Sequence, residues 1–172
     1  MRSLRRSFRP RRMAAAVAVA ALLTAAAGAN PAAASSCADR DEAAALHVRS
    51  LQTWMVVASL TCGSVDAYND FVLKFRPALQ RHGDALIGYF QRTYGGQGTS
   101  KLNRYVTLLA NQASALSLKD RGSYCTRTAE MYDEMQDGVS LTQLESYSAE
   151  NVGLLAVEPK SCMSENLVVS LK

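Results

Sequence analysis

Four cysteines are the residues of this chain whose chemistry is easiest to interpret: Cys37, Cys62, Cys125 and Cys162. A metal-binding or redox role would need partners, but no Cys-x-x-Cys pair occurs and no histidine lies within metal-ligand spacing of a cysteine. In an oxidising compartment, an even number of cysteines in one domain indicates disulfides. Three pairings are possible. We favour Cys37 with Cys162, which would hold both ends of the domain, and Cys62 with Cys125, which would join two predicted helices.

The two histidines, His47 and His82, are the side chains whose ordinary pKa suits a general base near neutral pH. His82 lies on the apolar stripe of a predicted helix, seven residues after Phe75, and His47 lies on the flank of another stripe. Both positions are typical of packing residues that make one hydrogen bond. We therefore assign no residue to catalysis from the sequence.

Four carboxylates form the densest charged cluster, and they fall within about 60° of one another on a predicted helix. They are Glu130, Asp133, Glu134 and Asp137. Such a stripe could attract a divalent cation or a basic partner, but it lacks the loop with carbonyl ligands that calcium sites use. A solvated outer face is the interpretation that we favour. We predict no metal site and no cofactor.

A glycine-rich segment, residues 95–101, has a superficial likeness to a phosphate-binding loop. It lacks the Gly-Lys-Ser/Thr ending, and a predicted helix rather than a strand precedes it. The sequence also contains no Gly-x-Ser-x-Gly and no His-Glu-x-x-His. We interpret the segment as a connection between helices.

The elements that must position these residues are helices, because the apolar residues repeat at spacings of three and four throughout. The stripe of the first helix comprises Ala44, Val48, Leu51, Met55, Ala58 and Cys62. Gly63 is expected to end this helix and Ser64 to cap the second one. Pro77 falls inside the second helix, where we expect a kink or a break near Arg76.

Three further helices follow. We expect Thr99 or Ser100 to cap the third, which carries Leu102, Tyr105, Val106, Leu109, Ala113 and Leu116. Ser123 is expected to open the fourth, with Cys125, Thr128, Met131, Tyr132 and Met135 facing inward and Gly138 as its end. Ser140 and Gln143 form a capping box for a fifth helix that runs to about Glu150. The prediction is an all-α, disulfide-stapled bundle of about five helices with an irregular tail over residues 153–172.

The first 34 residues are predicted to be a cleaved export signal. Six arginines lie within the first 12 residues, and an apolar, alanine-rich segment without charge covers residues 13–29. Ala32 and Ala34 place the cut before Ser35, and a cut after Ala29 is the alternative. Arg5 and Arg6 also leave the twin-arginine route open beside the general secretory route, which we favour. The prediction is a periplasmic or secreted domain over residues 35–172.

The apparent basic character of the chain belongs to the predicted signal. The whole sequence carries 19 basic and 15 acidic side chains, but without those six arginines the balance is 13 against 15. No Lys/Arg block remains that could displace counterions from phosphates, so nucleic acid is excluded as an expected partner. No later segment has the length of apolar sequence that a membrane span needs.

Part of the chain resembles small exported bacterial helical proteins that have no assigned function. The similar segments are 60–63, 68–71 and 103–111, and the resemblance covers residues 50 to 126. It implies a helical periplasmic domain and transfers no site. Its two polar residues of interest are Asn69 and Asn111, and we expect Asn111 to form a hydrogen bond with a neighbouring helix or loop.

The sequence supports two hypotheses for function. The first is a non-enzymatic protein that binds an envelope protein or a small ligand, since the domain shows no catalytic constellation. The second is a small secreted hydrolase acting on cell-envelope material, which would use His82 or an acid among Asp66, Asp70 and Asp84. A pocket that joins His82 to an acid and a nucleophile would favour the hydrolase, and an apolar groove would favour binding.

Overall fold

The computed structural model describes residues 37–152 and Cys162, all within a compact unit that runs from Ala33 to Lys172. The described residues form five α-helices and one short 3-10 turn at Gly95–Gln97, without a strand. The helices are α1 Arg40–Cys62, α2 Val65–Tyr94, α3 Gly98–Lys119, α4 Arg121–Asp137 and α5 Leu144–Asn151. The predicted all-α bundle is confirmed. The predicted signal, and the tail except Cys162, lie outside the described residues.

Both ends of α1 are determined by local side-chain and backbone chemistry. At its start, the carboxylate of Asp39 accepts from the amide of Glu42, and the carboxylate of Glu42 accepts from the amide of Asp39, each at 2.9 Å. This reciprocal pair satisfies two amides that a helix start otherwise leaves unpaired. At the other end Gly63 has φ of 76°, a left-handed conformation that glycine adopts without steric cost. The predicted stop at Gly63 is correct.

Helix α1 lies at the centre of the bundle and packs against each of the other four α-helices. One cluster of buried side chains joins α1 to α2 and α3, and it includes Leu46, Tyr89 and Leu109. A second cluster joins α1 to α2, α4 and α5, and it includes Met55, Phe71, Phe75, Met131, Met135 and Leu144. Burying each such side chain stabilises the fold by about 1.5–3 kcal/mol.

The course of α2 differs from the expectation at Pro77. The helix is continuous through this residue, so of the kink or break expected near Arg76 the break does not occur. Pro77 is exposed on the outer side of α2, whereas Phe75 and Ala78 on either side of it are fully buried. Their burial holds both halves of the helix against the core and offsets the hydrogen bond that proline removes.

The caps of three later helices also differ from the expectation. Helix α3 begins at Gly98, with neither Thr99 nor Ser100 as its cap. Asp120, not Ser123, caps α4, because its carboxylate accepts from the amide of Ser123 at 3.0 Å. Helix α5 begins only at Leu144.

The remaining cap predictions are partly correct. Ser64 occupies the cap position of α2, but its side chain forms no capping hydrogen bond there. Gln143 accepts from the amide of Ser140 at 3.0 Å, which is one half of the expected capping box. Helix α4 ends before Gly138, as predicted.

Two disulfides cross-link the chain, and all four cysteines take part in them. Cys62 at the end of α1 is joined to Cys125 in α4, with Cα atoms 5.6 Å apart. Cys37 is joined to Cys162, with Cα atoms 5.0 Å apart, and the amide of Cys162 donates to the carbonyl of Ala38 at 3.0 Å. These are the two pairs that the sequence favoured. Across residues 37–152, no helix has the length and apolar character needed to cross a membrane.

Candidate ligand-binding groove

Helices α1, α2 and α3 enclose a groove, which contains a cavity of about 390 Å³. Its walls are mostly apolar, with Leu86 and Ile87 from α2 facing Leu102 and Val106 from α3. A second cavity of about 180 Å³ extends along α1 to Val56, and a third of about 30 Å³ lies between α1 and α2. The three cavities adjoin, because they share lining residues.

Arg49 of α1 lines all three cavities. Its side chain is half-buried, and its Nη1 donates to Oε1 of Gln52 at 3.0 Å. The Nε atom is shielded from solvent and has no hydrogen-bond partner among the described residues. Guanidinium groups carry five N–H donors, so Arg49 keeps donors for a further acceptor.

Other polar groups in the groove are neutral. Asn103 and Thr107 of α3 line the largest cavity opposite Arg49, and Gln52 and Thr53 of α1 line its extension. Within the described part of the chain, no carboxylate lines any of the three cavities. The groove therefore combines apolar walls with one permanent positive charge.

His82 lines the smallest cavity and has an acid as its partner. Its Nε2 lies 3.3 Å from Oε1 of Glu145 in α5. Burial lowers the pKa of His82 below the ordinary value of 6.5, against the opposing effect of Glu145. Among the described residues that line this cavity there is no serine, threonine or cysteine, so no nucleophile accompanies the pair.

The other candidate residues do not converge on the groove. The side chains of Asp66, Asp70 and Asp84 are exposed along α2, and none of them lines a cavity described above. His47 is half-buried on α1. Asn69 and Asn111 are exposed, so the expectation that Asn111 bonds to a neighbouring helix is wrong: it faces outward from α3.

Two of the four carboxylates in the acidic stripe of α4 are paired within the protein. Nη1 of Arg127 lies 3.3 Å from Oε2 of Glu130 and 3.4 Å from Oε1 of Glu134. The hydroxyl of Tyr147 also donates to Glu134, and this hydrogen bond, with the nearby Arg127, lowers the pKa of that carboxyl. Asp133 and Asp137 are exposed. In the described ranges, no group of three or more His, Cys, Asp or Glu side chains is placed to hold a metal ion.

Arg49 is the residue that the sequence analysis missed. The sequence did hold one indication of its role, which is the absence of a nearby acid. The residues three and four positions away on α1 are Ala45, Leu46, Gln52 and Thr53. An arginine beside an apolar helical stripe with no acid one turn away cannot form the usual pair within its own helix. Whether another helix would supply an acid could not be read from the sequence.

The groove lies partly within residues 50 to 126, the region that resembles small exported bacterial proteins. Val106, Thr107 and Ala110 lie in the segment 103–111 and line the groove, whereas Arg49 lies just before the similar region. The resemblance to small exported bacterial proteins stays a prediction. No protein-family model matches the chain, and neither a curated protein nor a solved structure matches it.

Proposed function

We propose that this protein is a non-enzymatic binding protein that holds a small ligand in the groove between α1, α2 and α3. One observation carries the proposal: three adjoining cavities combine apolar walls with a single cation, Arg49. Ligand sites are typically concave and mostly apolar, with a few polar groups that orient the ligand, and they measure roughly 300–1,000 Å³. The cavity of about 390 Å³ falls in this range.

The chemistry of the groove favours binding over catalysis. Hydrolysis by a protein nucleophile needs a hydroxyl or thiol within reach of a base, and all four cysteines are held in disulfides. The side chain of Thr107 donates to the carbonyl of Asn103 at 2.9 Å, and Thr53 donates to the carbonyl of Arg49 at 2.8 Å. Neither hydroxyl is directed at a base. An envelope protein as the partner is the other form of the binding hypothesis.

The proposed site of action is the periplasm or the exterior of the cell. Two disulfides support it, because such bonds persist in oxidising compartments. The predicted signal over residues 1–34 supports it independently, through its arginines and apolar segment. Cell fractionation with N-terminal sequencing tests this location, and the expected mature N-terminus is Ser35.

Filling the groove tests the proposed function. A Cβ atom placed on Gly83, which lines two of the cavities, would meet no atom within 4 Å. We therefore expect Gly83→Phe to fold and to project its ring into the groove. Binding of the neutral apolar fluorophore N-phenyl-1-naphthylamine should weaken by about tenfold or more in this variant.

The matched control is Gly88→Phe on the same helix. Gly88 is exposed, also has no atom within 4 Å of an added Cβ, and lines none of the three cavities. We expect this variant to bind the fluorophore as the unaltered protein does. Equal binding by both phenylalanine variants would contradict the proposed site.

A secreted hydrolase is the second candidate, and the pair of His82 with Glu145 is the observation that favours it. A histidine beside a carboxylate can act as a general base on water. Clearing of purified cell-wall material by the protein, lost in His82→Gln, would support the hydrolase. No clearing above a buffer control would exclude this activity on that material.

A further inference from the structure

We propose that the ligand is an amphipathic carboxylate, whose single negative charge binds Arg49 and whose apolar chain lies between α2 and α3. This inference rests on the proposed function, and it names the class of ligand. It starts from a comparison of the partly buried cations of the bundle.

The comparable cations have partners within the protein, and for the half-buried Lys101 this partner is the ring of Tyr94, whose centroid lies 5.7 Å from Nζ. Arg92 is paired with Glu42 at 2.5 Å, and Arg127 is paired with Glu130 and Glu134. Lys74 donates to two carbonyls at the end of α4, those of Met135 at 2.6 Å and Gln136 at 2.7 Å. Partly buried cations are generally satisfied in this way because removing a charge from water costs free energy.

Arg49 departs from this pattern. The one hydrogen bond of its guanidinium within the described residues is to the neutral Gln52, and no acid of residues 37–152 forms an ion pair with it. Its Nε is shielded from water and unbonded. A half-buried guanidinium that keeps unused donors at the edge of an open cavity is suited to an anion from outside the chain.

The neighbouring titratable groups do not supply the missing negative charge. Burial raises the pKa of Tyr105 to about 12, although the nearby Arg49 acts in the opposite direction, so this phenol is neutral at physiological pH. Burial also favours the neutral form of His82, which lines the cavity next to Arg49. The groove therefore presents one positive charge, and the described residues that line it supply no negative charge to compensate it.

A single charge indicates which anion fits. A phosphate monoester carries about −1.5 to −2 near pH 7 and would leave charge uncompensated beside one guanidinium. A carboxylate carries one charge, and its two oxygens match the guanidinium fork. The amide of Asn103 faces the same cavity and can donate to a carboxylate oxygen.

The apolar part of the ligand has a defined place as well. Leu86, Ile87, Leu102 and Val106 form the walls beside Arg49, and the cavity extends along α1 to Val56. Placing an alkyl chain there removes apolar surface of both the chain and the groove from water, which favours binding. The cavity shape thus favours an unbranched chain attached to the carboxylate over a compact organic acid.

The experiment compares three probes with the same chain: dodecanoate, dodecanol and dodecyltrimethylammonium, each displacing the neutral fluorophore from the intact, oxidised protein. We expect dodecanoate to bind tightest and the cationic probe weakest. In Arg49→Gln, dodecanoate affinity should fall by about 10- to 100-fold, and dodecanol affinity should stay within about twofold. Arg49→Lys should recover part of the loss, because lysine keeps the charge without the fork.

The matched control is Arg104→Gln, since Arg104 is an exposed arginine of α3 that lines none of the three cavities. It should leave all three affinities unchanged. Circular dichroism reports whether each variant folds. The ranking of the three probes is measured on the unaltered protein, so it tests the proposal even if a variant does not fold.

The two proposals fail in different ways. Equal binding of dodecanoate and dodecanol, in both the unaltered protein and Arg49→Gln, would overturn the role of Arg49 and leave the groove as a neutral binding site. Absence of binding by all three probes and by the fluorophore would overturn the proposed function itself, and the ligand class with it.

Discussion

Glu42 and Arg92 form an ion pair that joins the first turn of α1 to the last turn of α2, with Oε2 and Nη2 2.5 Å apart. Nε of Arg92 also donates to Oε1 of Glu42 at 3.2 Å, so the contact is bidentate. The same carboxylate accepts from the amide of Asp39. One buried acid thus caps a helix and binds a second helix to it.

Replacing Glu42 with Gln should lower the free energy of unfolding by about 2 kcal/mol, because charge-assisted hydrogen bonds contribute more than neutral ones. Urea unfolding followed by circular dichroism measures the change. Glu150→Gln, at an exposed position of α5, is the control and should have little effect. A loss of stability no larger than that of the control would contradict the importance of this pair.

The disulfide between Cys62 and Cys125 should be a main source of stability. The two residues are 63 positions apart, and the chain-entropy model gives about 4 kcal/mol for closing such a loop. The double variant Cys62→Ala and Cys125→Ala should lose up to this amount in denaturant unfolding. Peptide mapping without reductant checks the pairing, and four free thiols or a Cys37–Cys62 link would contradict it.

His82 should make the fold sensitive to acid. Burial holds its pKa in the folded state below the ordinary value of 6.5, so the unfolded chain binds more protons once the pH falls below that value. The contribution of neutral His82 to the free energy of unfolding is fully present above about pH 6.5. It is lost as the pH falls toward the pKa of His82 in the folded state.

The His82→Gln variant isolates this effect, because glutamine does not titrate. We expect its unfolding free energy to fall less between about pH 7 and pH 5 than that of the unaltered protein. Urea titrations across this range give the difference. An equal fall in the variant would contradict the lowered pKa of His82, and a steeper fall would show that Glu145 raises that pKa instead.

Trp54 and Thr128 form a polar link between α1 and α4, since the indole Nε1 donates to the Thr128 hydroxyl at 2.9 Å. Thr128→Val keeps the shape but leaves that donor without its acceptor, at a cost of about 1–3 kcal/mol. Trp54 is the only tryptophan in the sequence, so its fluorescence reports the unfolding directly. Thr126→Val, at an exposed position of α4, is the control. Equal stability of the two variants would argue against the hydrogen bond.

The parts of the fold that were predictable rest on local rules. The stripe of α1 could be read from spacing alone, and Leu51, Met55 and Ala58 are fully buried. The inward face of α4 was equally clear, with Thr128, Met131 and Met135 buried. Gly63 ends α1 because its left-handed backbone favours glycine, a preference that the sequence displays.

The errors fall where two residues suit the same capping position, or where packing against another helix fixes the start of a helix. Asp120 and Ser123 are both good capping residues, and the structure uses Asp120 to accept from Ser123. Close packing also limits where α3 begins: a Cβ atom on Gly98 would lie 2.8 Å from the Cα atom of Gln91, so only glycine fits there. Capping propensity does not separate Asp120 from Ser123, because both residue types are favoured at that position. The fit of Gly98 depends on where α2 lies, which propensity does not show.

The sequence by itself determined which residues are helical, which face of each helix is apolar and that four cysteines would act as staples. These properties depend on periodicity and composition, which are local. Only the tertiary structure decided that Arg92 meets an acid, that His82 meets Glu145 and that no acid of residues 37–152 pairs with Arg49. The partner of a charged side chain comes from another helix, and its position is set by the packing of the whole bundle. The candidate site is therefore a product of that packing.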